Sequence, residues 1–311
     1  MTISRRSLLL AGAALGGTAL GSAALTGCAP PAPPASAPPA SAPPAPGTGT
    51  APIPAMADVE RTYARTIGVH VLDTGTGRSA GHRDGDRFLM CSVTKALMAG
   101  FTLHRSLSDP GLLDRPVRYG RADLLEYAPV TTRNLATGMT VAQLCEAAVT
   151  VSDNTAHNLL LREVGSPAEL TAWLRTTGDT VTRSDRAETA LNDRDGERDT
   201  STPAALASTL RTLVLGDALP APQRDRLAGW LRANTTGDRQ IRAAVPADWG
   251  VGDKTGSGPL GERNDSGVLY PPDGAPLVLT VFTLPADPAD EQRGEDAVAA
   301  AARAAVAALR G

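Results

Sequence analysis

"CSVTKALM", residues 91–98, contains one of only two lysines in a chain that writes its positive charge as arginine: of 30 basic residues 28 are Arg, and the exceptions are Lys95 and Lys254. Arginine is effectively never deprotonated, whereas a desolvated lysine can give up its proton. A position that keeps Lys against this habit is a candidate for proton transfer. Ser92 and Lys95 stand three apart at the start of a helical pattern expected over 92–107, which puts both side chains on one face. Helix-terminal N–H groups beside Ser92 favour developing negative charge, and a hydroxyl next to a deprotonatable amine is an activated nucleophile. Taken alone, the same residues read more simply as an N-cap serine and a solvated lysine, so the neighbours decide.

Working outward, "TIGVHVLDTGTG" (66–77) alternates apolar and polar residues and ends in Gly-rich turn chemistry, the pattern of a half-buried strand entering a hairpin. Towards the other end, "WGVGDKTGS" (249–257), "DSGVLYPPDG" (265–274) and "PLVLTVFTL" (276–284) read as strands separated by turns, and "EDAVAAAARAAVAALR" (295–310) as a strong helix. Between them the pattern is helical, over 92–107, 140–149, 153–164, 167–177, 203–215 and 221–234. The expected fold is α+β: an antiparallel sheet built from both chain ends and flanked by helices, with an all-helical lobe inserted. The domain is expected over 55–311, its sheet lobe at about 55–91 and 243–311 and its helical lobe at about 92–242.

The residues before it read as address and tether. A short basic start with Arg5-Arg6, an apolar Ala/Gly-rich run over 8–25 and "LTGC" at 25–28 form an export signal of twin-arginine and lipobox type, covering 1–27, with Cys28 as the lipidated residue. Gly12, Gly16, Gly17 and Gly21 break the run and no basic stop-transfer flank follows, so it reads as a leader rather than a membrane span. Residues 29–54 hold 11 of the 25 prolines and no charge, as an extended polyproline-like spacer should. The expected location is the outer face of the cytoplasmic membrane, held by the lipid on Cys28 and in part released, with the protein acting as a monomer. Removing Arg5 and Arg6 takes the formal net charge from −3 to −5, and the remaining arginines are scattered, which argues against a nucleic-acid partner. His70, His82, His104, His157, Cys91 and Cys145 are too dispersed for a metal site, and no cofactor is expected.

Two further clusters weigh on Ser92 and Lys95. "VSDNTA" (151–156) places a hydroxyl, a carboxylate and an amide in a row where a helix resumes, although a helix start capped by Ser152 or Asp153 explains it equally simply. "VGDKTGSG" (251–258) sets the second lysine on a strand, with hydroxyls at Thr255 and Ser257 and with Gly256 and Gly258 able to admit a ligand close to the backbone. In the order S-x-x-K, S-D-N, K-T-G, the three resemble the motifs of the class A serine β-lactamases and the wider penicillin-recognising serine enzymes. The resemblance runs from about residue 58 to 310. "RAETALNDRDGERDTSTP" (186–203) is similar to the class A Ω-loop, with Glu188 and Asn192 in E-x-x-L-N and Arg186 and Asp199 closing the loop. Transpeptidases of that superfamily lack the glutamate.

The resemblance implies hydrolysis of small-molecule β-lactams through an acyl-enzyme on Ser92, whose proton is removed by Lys95, Glu188 or both. It implies an oxyanion hole from the N–H groups of Ser92 and Ser257, a proton relay to the leaving nitrogen at Ser152, and a hydrolytic water served by Glu188 and Asn192. Asn154 is expected to hold the substrate side-chain amide, Tyr127 to stand at the cleft mouth, and Lys254, Thr255, Gly256, Ser257 and Arg263 to receive the substrate carboxylate. The alternative within the superfamily is a β-lactam-acylated sensor or slow cell-wall peptidase. An unrelated esterase is disfavoured because the one G-x-S-x-G match, Gly77 to Gly81, follows the expected strand into its hairpin and does not form a strand-to-helix elbow.

Departures from the family pattern carry their own expectations. The Ω-loop is about two residues short between Asn192 and Asp199, and Ala187 replaces an aromatic residue, so looser support for Glu188 is expected. Thr189 follows Glu188 where many members have proline, so a cis bond there is a non-proline one. Gln240 stands where many actinobacterial relatives place a carboxylate-binding arginine, and Arg263, nine residues after Lys254, is expected to serve instead. The resemblance implies disulfide partner positions for Cys91 and Cys145, as in other members, but Gly258 and Ala99 occupy them. Two free thiols are expected, and this feature gives carbapenem hydrolysis no support.

Overall fold

Strand-forming sequence at both ends of the chain meets in one sheet. The computed structural model describes residues 49–287 and 293–310; Arg5, Arg6, Cys28 and most of the spacer lie outside them. Along the chain come β1 (Ala51–Pro52), α1 (Met56–Tyr63), β2 (Arg65–Asp73), β3 (Ser79–His82), β4 (Phe88–Leu89), α2 (Thr94–Arg105), β5 (Pro116–Val117), α3 (Pro129–Arg133) and β6 (Met139–Thr140). They are followed by α4 (Val141–Thr150), α5 (Asn154–Glu163), α6 (Pro167–Thr176), β7 (Thr200–Ser201), α7 (Pro203–Val214), α8 (Ala221–Arg232), β8 (Gly250–Ser257), β9 (Arg263–Tyr270), β10 (Leu277–Pro285) and α9 (Gly294–Arg310). The main sheet runs β1-β3-β2-β10-β9-β8, antiparallel throughout except for the parallel β1–β3 pair. This is the α+β arrangement expected from the sequence.

The sheet is covered on both faces, and its apolar side chains divide between two cores. Ile67, Val69, Val71, Leu279 and Val281 pack against α1 and α9, where Ala297, Ala301, Ala302 and Ala305 let the helix lie close. Val268, Val278 and Phe282 belong to a second core shared with the inserted helices, and Phe282 meets Phe88 at 5.8 Å between ring centroids. Helix α2 runs through this second core, buried continuously from Thr94 to Leu103, as a helix enclosed on all sides must be. Lys95 is therefore placed in the interior by its helix and not by its own chemistry.

The fold begins earlier than the spacer reading expected. Ala51 and Pro52 pair with Ala80 and Gly81 at the sheet edge, and Ile53 is buried. An edge strand tolerates Pro because no partner there needs its missing N–H, and Ile53 gives the segment an apolar anchor. Residues 51–54 thus belong to the domain and not to the tether.

Candidate active site

Ser92 is delivered to the cleft by backbone geometry. Cys91 adopts a left-handed φ of 49°, and a single 3-10 turn, Cys91–Val93, leads into α2. On the facing strand, a Cβ on Gly256 would stand 2.6 Å from the carbonyl oxygen of Met90, so β8 can pass this segment only with glycine there.

Lys95 Nζ lies 2.9 Å from Ser92 Oγ and 2.9 Å from Glu188 Oε1. It also reaches the carbonyl oxygen of Ser152 at 2.9 Å, Ser152 Oγ at 3.2 Å and Asn154 Oδ1 at 2.5 Å. An ammonium has three protons to share among these acceptors. Burial pulls the Lys95 ammonium below the usual lysine range, opposed by the charge of Glu188.

Glu188 closes the triangle, with Ser92 Oγ donating to Oε1 at 3.4 Å and Asn192 Nδ2 to Oε2 at 2.9 Å. Burial pushes its carboxyl upward, but Lys95 and its other donors outweigh burial and hold it below the ordinary glutamate value. The Glu188–Thr189 peptide is cis. Looser support from the short loop is not what the structure has. The Glu188 side chain is fully enclosed, and Asn158 grips its main chain, donating to the carbonyl at 2.8 Å and accepting from the N–H at 2.8 Å. Arg186 Nε meets Asp199 Oδ2 at 2.7 Å, and Asp199 Oδ1 accepts from the N–H groups of Asp185 and Arg186. Asn158 was not singled out from the sequence, although its place four residues after Asn154 puts the two on one helix face.

The S-D-N triplet divides its labour. Asp153 caps α5 through the N–H of Ala156 and accepts from the N–H groups of Val130 and Thr131, which makes it a structural residue. Ser152, at a left-handed φ of 60°, sets its Oγ between the lysines, 3.2 Å from Lys95 Nζ and 3.1 Å from Lys254 Nζ. Lys254 also donates to the carbonyl of Thr255 at 2.8 Å, and burial together with the charge of Lys95 lowers its pKa to about 7.

These groups open onto a cleft of about 400 Å³ lined by Ser92, Ser152, Asn154, Asn192, Thr255 and Ser257, with Tyr127, 52 % exposed, on its rim. Thr236 adds a hydroxyl 2.5 Å from that of Thr255. Gln240 and Glu295 complete the wall, and neither Thr236 nor Glu295 was picked out from the sequence. Arg263 stands opposite Ser257 in the β8–β9 register, with its stem beside Gly294 and its Nη1 donating to the carbonyl of Glu262 at 2.8 Å. Cys91 and Cys145 are free and buried; a Cβ on Gly258 would lie 3.1 Å from Cys91 Sγ but 2.3 Å from Glu262 Oε2, so the Glu262 carboxylate occupies the partner position.

A model of the β-lactamase enzyme family matches residues 52–309. The chain belongs to that family. A carbapenem-hydrolysing β-lactamase, KPC, from Klebsiella oxytoca is 48% identical over 256 residues, 81% of this chain and 87% of that protein. β-Lactamase AST-1 of Nocardia asteroides is 48% identical over 258 residues, 82% of this chain and 83% of its own. Among solved structures, the class A β-lactamase from Mycobacterium abscessus superposes with a TM-score of 0.81 at 48% identity, covering 82% of this chain and 98% of that one. This β-lactamase is therefore of class A, and its sheet of joined chain ends around inserted helices is the fold of its structural neighbours.

Proposed function

We propose that this class A β-lactamase opens the β-lactam ring with Ser92 and releases the product with a water activated by Glu188. The observation that carries the reading is the Ser92–Lys95–Glu188 triangle, with contacts of 2.9, 2.9 and 3.4 Å. Glu188 takes a proton from Lys95, and the neutral amine takes the proton of Ser92 as its Oγ attacks the lactam carbonyl. The N–H groups of Ser92 and Ser257 receive the developing oxyanion. Ser152 protonates the leaving nitrogen and is resupplied by the lysines on either side of it. Asn154 holds the acyl side chain and Tyr127 flanks the entrance. Thr255, Gly256 and Ser257 face the substrate carboxylate above the charge of Lys254, and Arg263 serves them from the adjoining strand. Glu188 and Asn192 then position and deprotonate the water that cleaves the ester.

Turnover of a chromogenic cephalosporin with a transient acyl adduct on Ser92 by intact-mass spectrometry is the expected result. A persistent adduct without turnover would favour the sensor or slow peptidase instead. The enzyme acts as an exported monomer tethered to the outer face of the cytoplasmic membrane by a lipid on Cys28. Cys28→Ser should move it to the soluble fraction with catalysis intact, and retention with membranes would contradict the anchor.

A further inference from the structure

Thr255, one of the residues that face the substrate carboxylate, ends a chain of hydrogen bonds that runs in from the buried side of β8. Arg242 Nη2 stands 2.6 Å from Asp253 Oδ1. Asp253 Oδ2 accepts from Asn234 Nδ2 at 3.0 Å, and both residues are buried. Asn234 Oδ1 in turn accepts twice from Thr236, from its N–H at 3.1 Å and from its Oγ1 at 2.8 Å. Thr236 Oγ1 lies 2.5 Å from Thr255 Oγ1, and both residues line the cleft. The turn that carries Thr236 is also held from its other side, where Thr235 donates its N–H and its hydroxyl to the carbonyl of Thr150, at 2.9 and 3.1 Å.

The donors and acceptors of this chain decide where its protons lie. A backbone N–H only donates, so the Asn234 atom beside Thr236 is the amide oxygen, and the amide nitrogen faces Asp253. An amide oxygen only accepts, so the Thr236 hydroxyl spends its single proton on Asn234. The contact between Thr236 and Thr255 must then take its proton from Thr255. In the free enzyme the Thr255 hydroxyl therefore aims its proton into the protein. To donate to a substrate carboxylate it must turn that proton outward and give up Thr236. Two hydroxyl oxygens are then left facing each other, unless Thr236 turns its own proton from Asn234 to Thr255. Either way one internal hydrogen bond is lost. A carboxylate can drive the exchange because hydrogen bonds to an ionised acceptor are roughly twice as strong as neutral ones, but its grip is weakened by the bond given up.

We propose that Asn234 and Thr236 are positioning residues that restrain the Thr255 hydroxyl and so weaken the hold of the cleft on the carboxylate, of substrate and ring-opened product alike. The inference rests on reading Thr255 as part of the carboxylate site. No proton changes owner in this exchange; only the two hydroxyls rotate.

The test is Thr236→Val, which keeps the shape of the side chain and leaves Thr255 free to donate into the cleft. KM for a penicillin, and the inhibition constant of its ring-opened product, should both fall by about threefold to tenfold, the worth of one hydrogen bond. kcat should change little, because the carboxylate is held equally in ground and transition states. Thr236→Ser, which restores the hydroxyl, should return both constants to near the parent values. A turn that is merely loosened, or a Thr236 hydroxyl that itself binds substrate, would raise KM instead, and a raised or unmoved KM in Thr236→Val overturns the proposal. The methyl ester of the same penicillin checks the reading beneath it: equal KM for acid and ester in the parent would overturn the carboxylate site, and the role of Thr236 with it. Neutron diffraction from deuterium-exchanged crystals of the free parent enzyme decides without any variant. The Thr255 deuteron should point to Thr236 Oγ1 and the Thr236 deuteron to Asn234 Oδ1, and a Thr255 deuteron pointing into the cleft would overturn the proposal.

Discussion

Lys95 and Lys254 share burial and one contact and differ in their other partners. Both are 0% exposed, and both touch Ser152 Oγ. Lys95 has a carboxylate at 2.9 Å and four other oxygen contacts, whereas Lys254 has one hydroxyl and one carbonyl. An acid does precede Lys254, but alternation along β8 turns Asp253 to the opposite face, where it pairs with Arg242 at 2.6 Å. The partner, and not the burial, decides what a lysine can do. Beside an anion Lys95 has a base within reach of its proton; without one, Lys254 is a charge with a pKa of about 7, suited to attracting a carboxylate.

The contrast breaks most severely if the anion is removed. Glu188→Gln should leave Ser92 able to react while slowing deacylation by about 10² to 10⁴, read as a long-lived penicillin adduct by mass spectrometry. Rapid turnover by this variant would mean that the water is activated from elsewhere.

A smaller effect should expose Lys254. Its ammonium is protonated below about pH 7 and neutral above it, so attraction for an anionic penicillin is present at lower pH and lost as pH rises. kcat/KM, which reports the free enzyme, should decline by about tenfold per pH unit above that point if this charge limits binding. Lys254→Arg, which does not deprotonate, should flatten this limb. A limb that persists in the variant would assign it to another group.

Smaller again is the effect of loosening the loop that brings the anion to Lys95. Asp199→Asn weakens the bond to Arg186 and should cost roughly 1–3 kcal/mol in denaturant unfolding. It should slow deacylation more than it raises KM, because the loop carries Glu188 and not the groups around Lys254. Equal losses in both would show that the loop supports the whole cleft.

Most of the fold was legible because its signals are local: alternation in β2, the continuous apolar run of β10, the alanine-rich α9, and helical periodicity from α2 to α8. Helix α1 escaped because its eight residues follow a proline-rich segment and only Met56 is buried. The nucleophile, both lysines, Ser152, Glu188 and Asn192 were legible from motif order, and the structure brings them together. Asn158, whose side chain holds the Glu188 main chain, was not, since on a sequence it is one more polar position. Its relation to Glu188 exists only once the Ω-loop folds back on α5. For Arg263 the strand register fixes only the backbone, opposite Ser257; the direction of a long side chain is set by packing that the register does not contain.

The two lysines themselves give the most direct test, because arginine preserves charge in both places and proton exchange in neither. In a time course of Ser92 acylation by intact-mass spectrometry at saturating penicillin, Lys95→Arg should be slower than the parent by about 10² or more, and Lys254→Arg within about tenfold of it. Acylation of Lys95→Arg at nearly the parent rate would show that a fixed charge suffices at that position, and would contradict the assignment of Lys95 as the proton carrier.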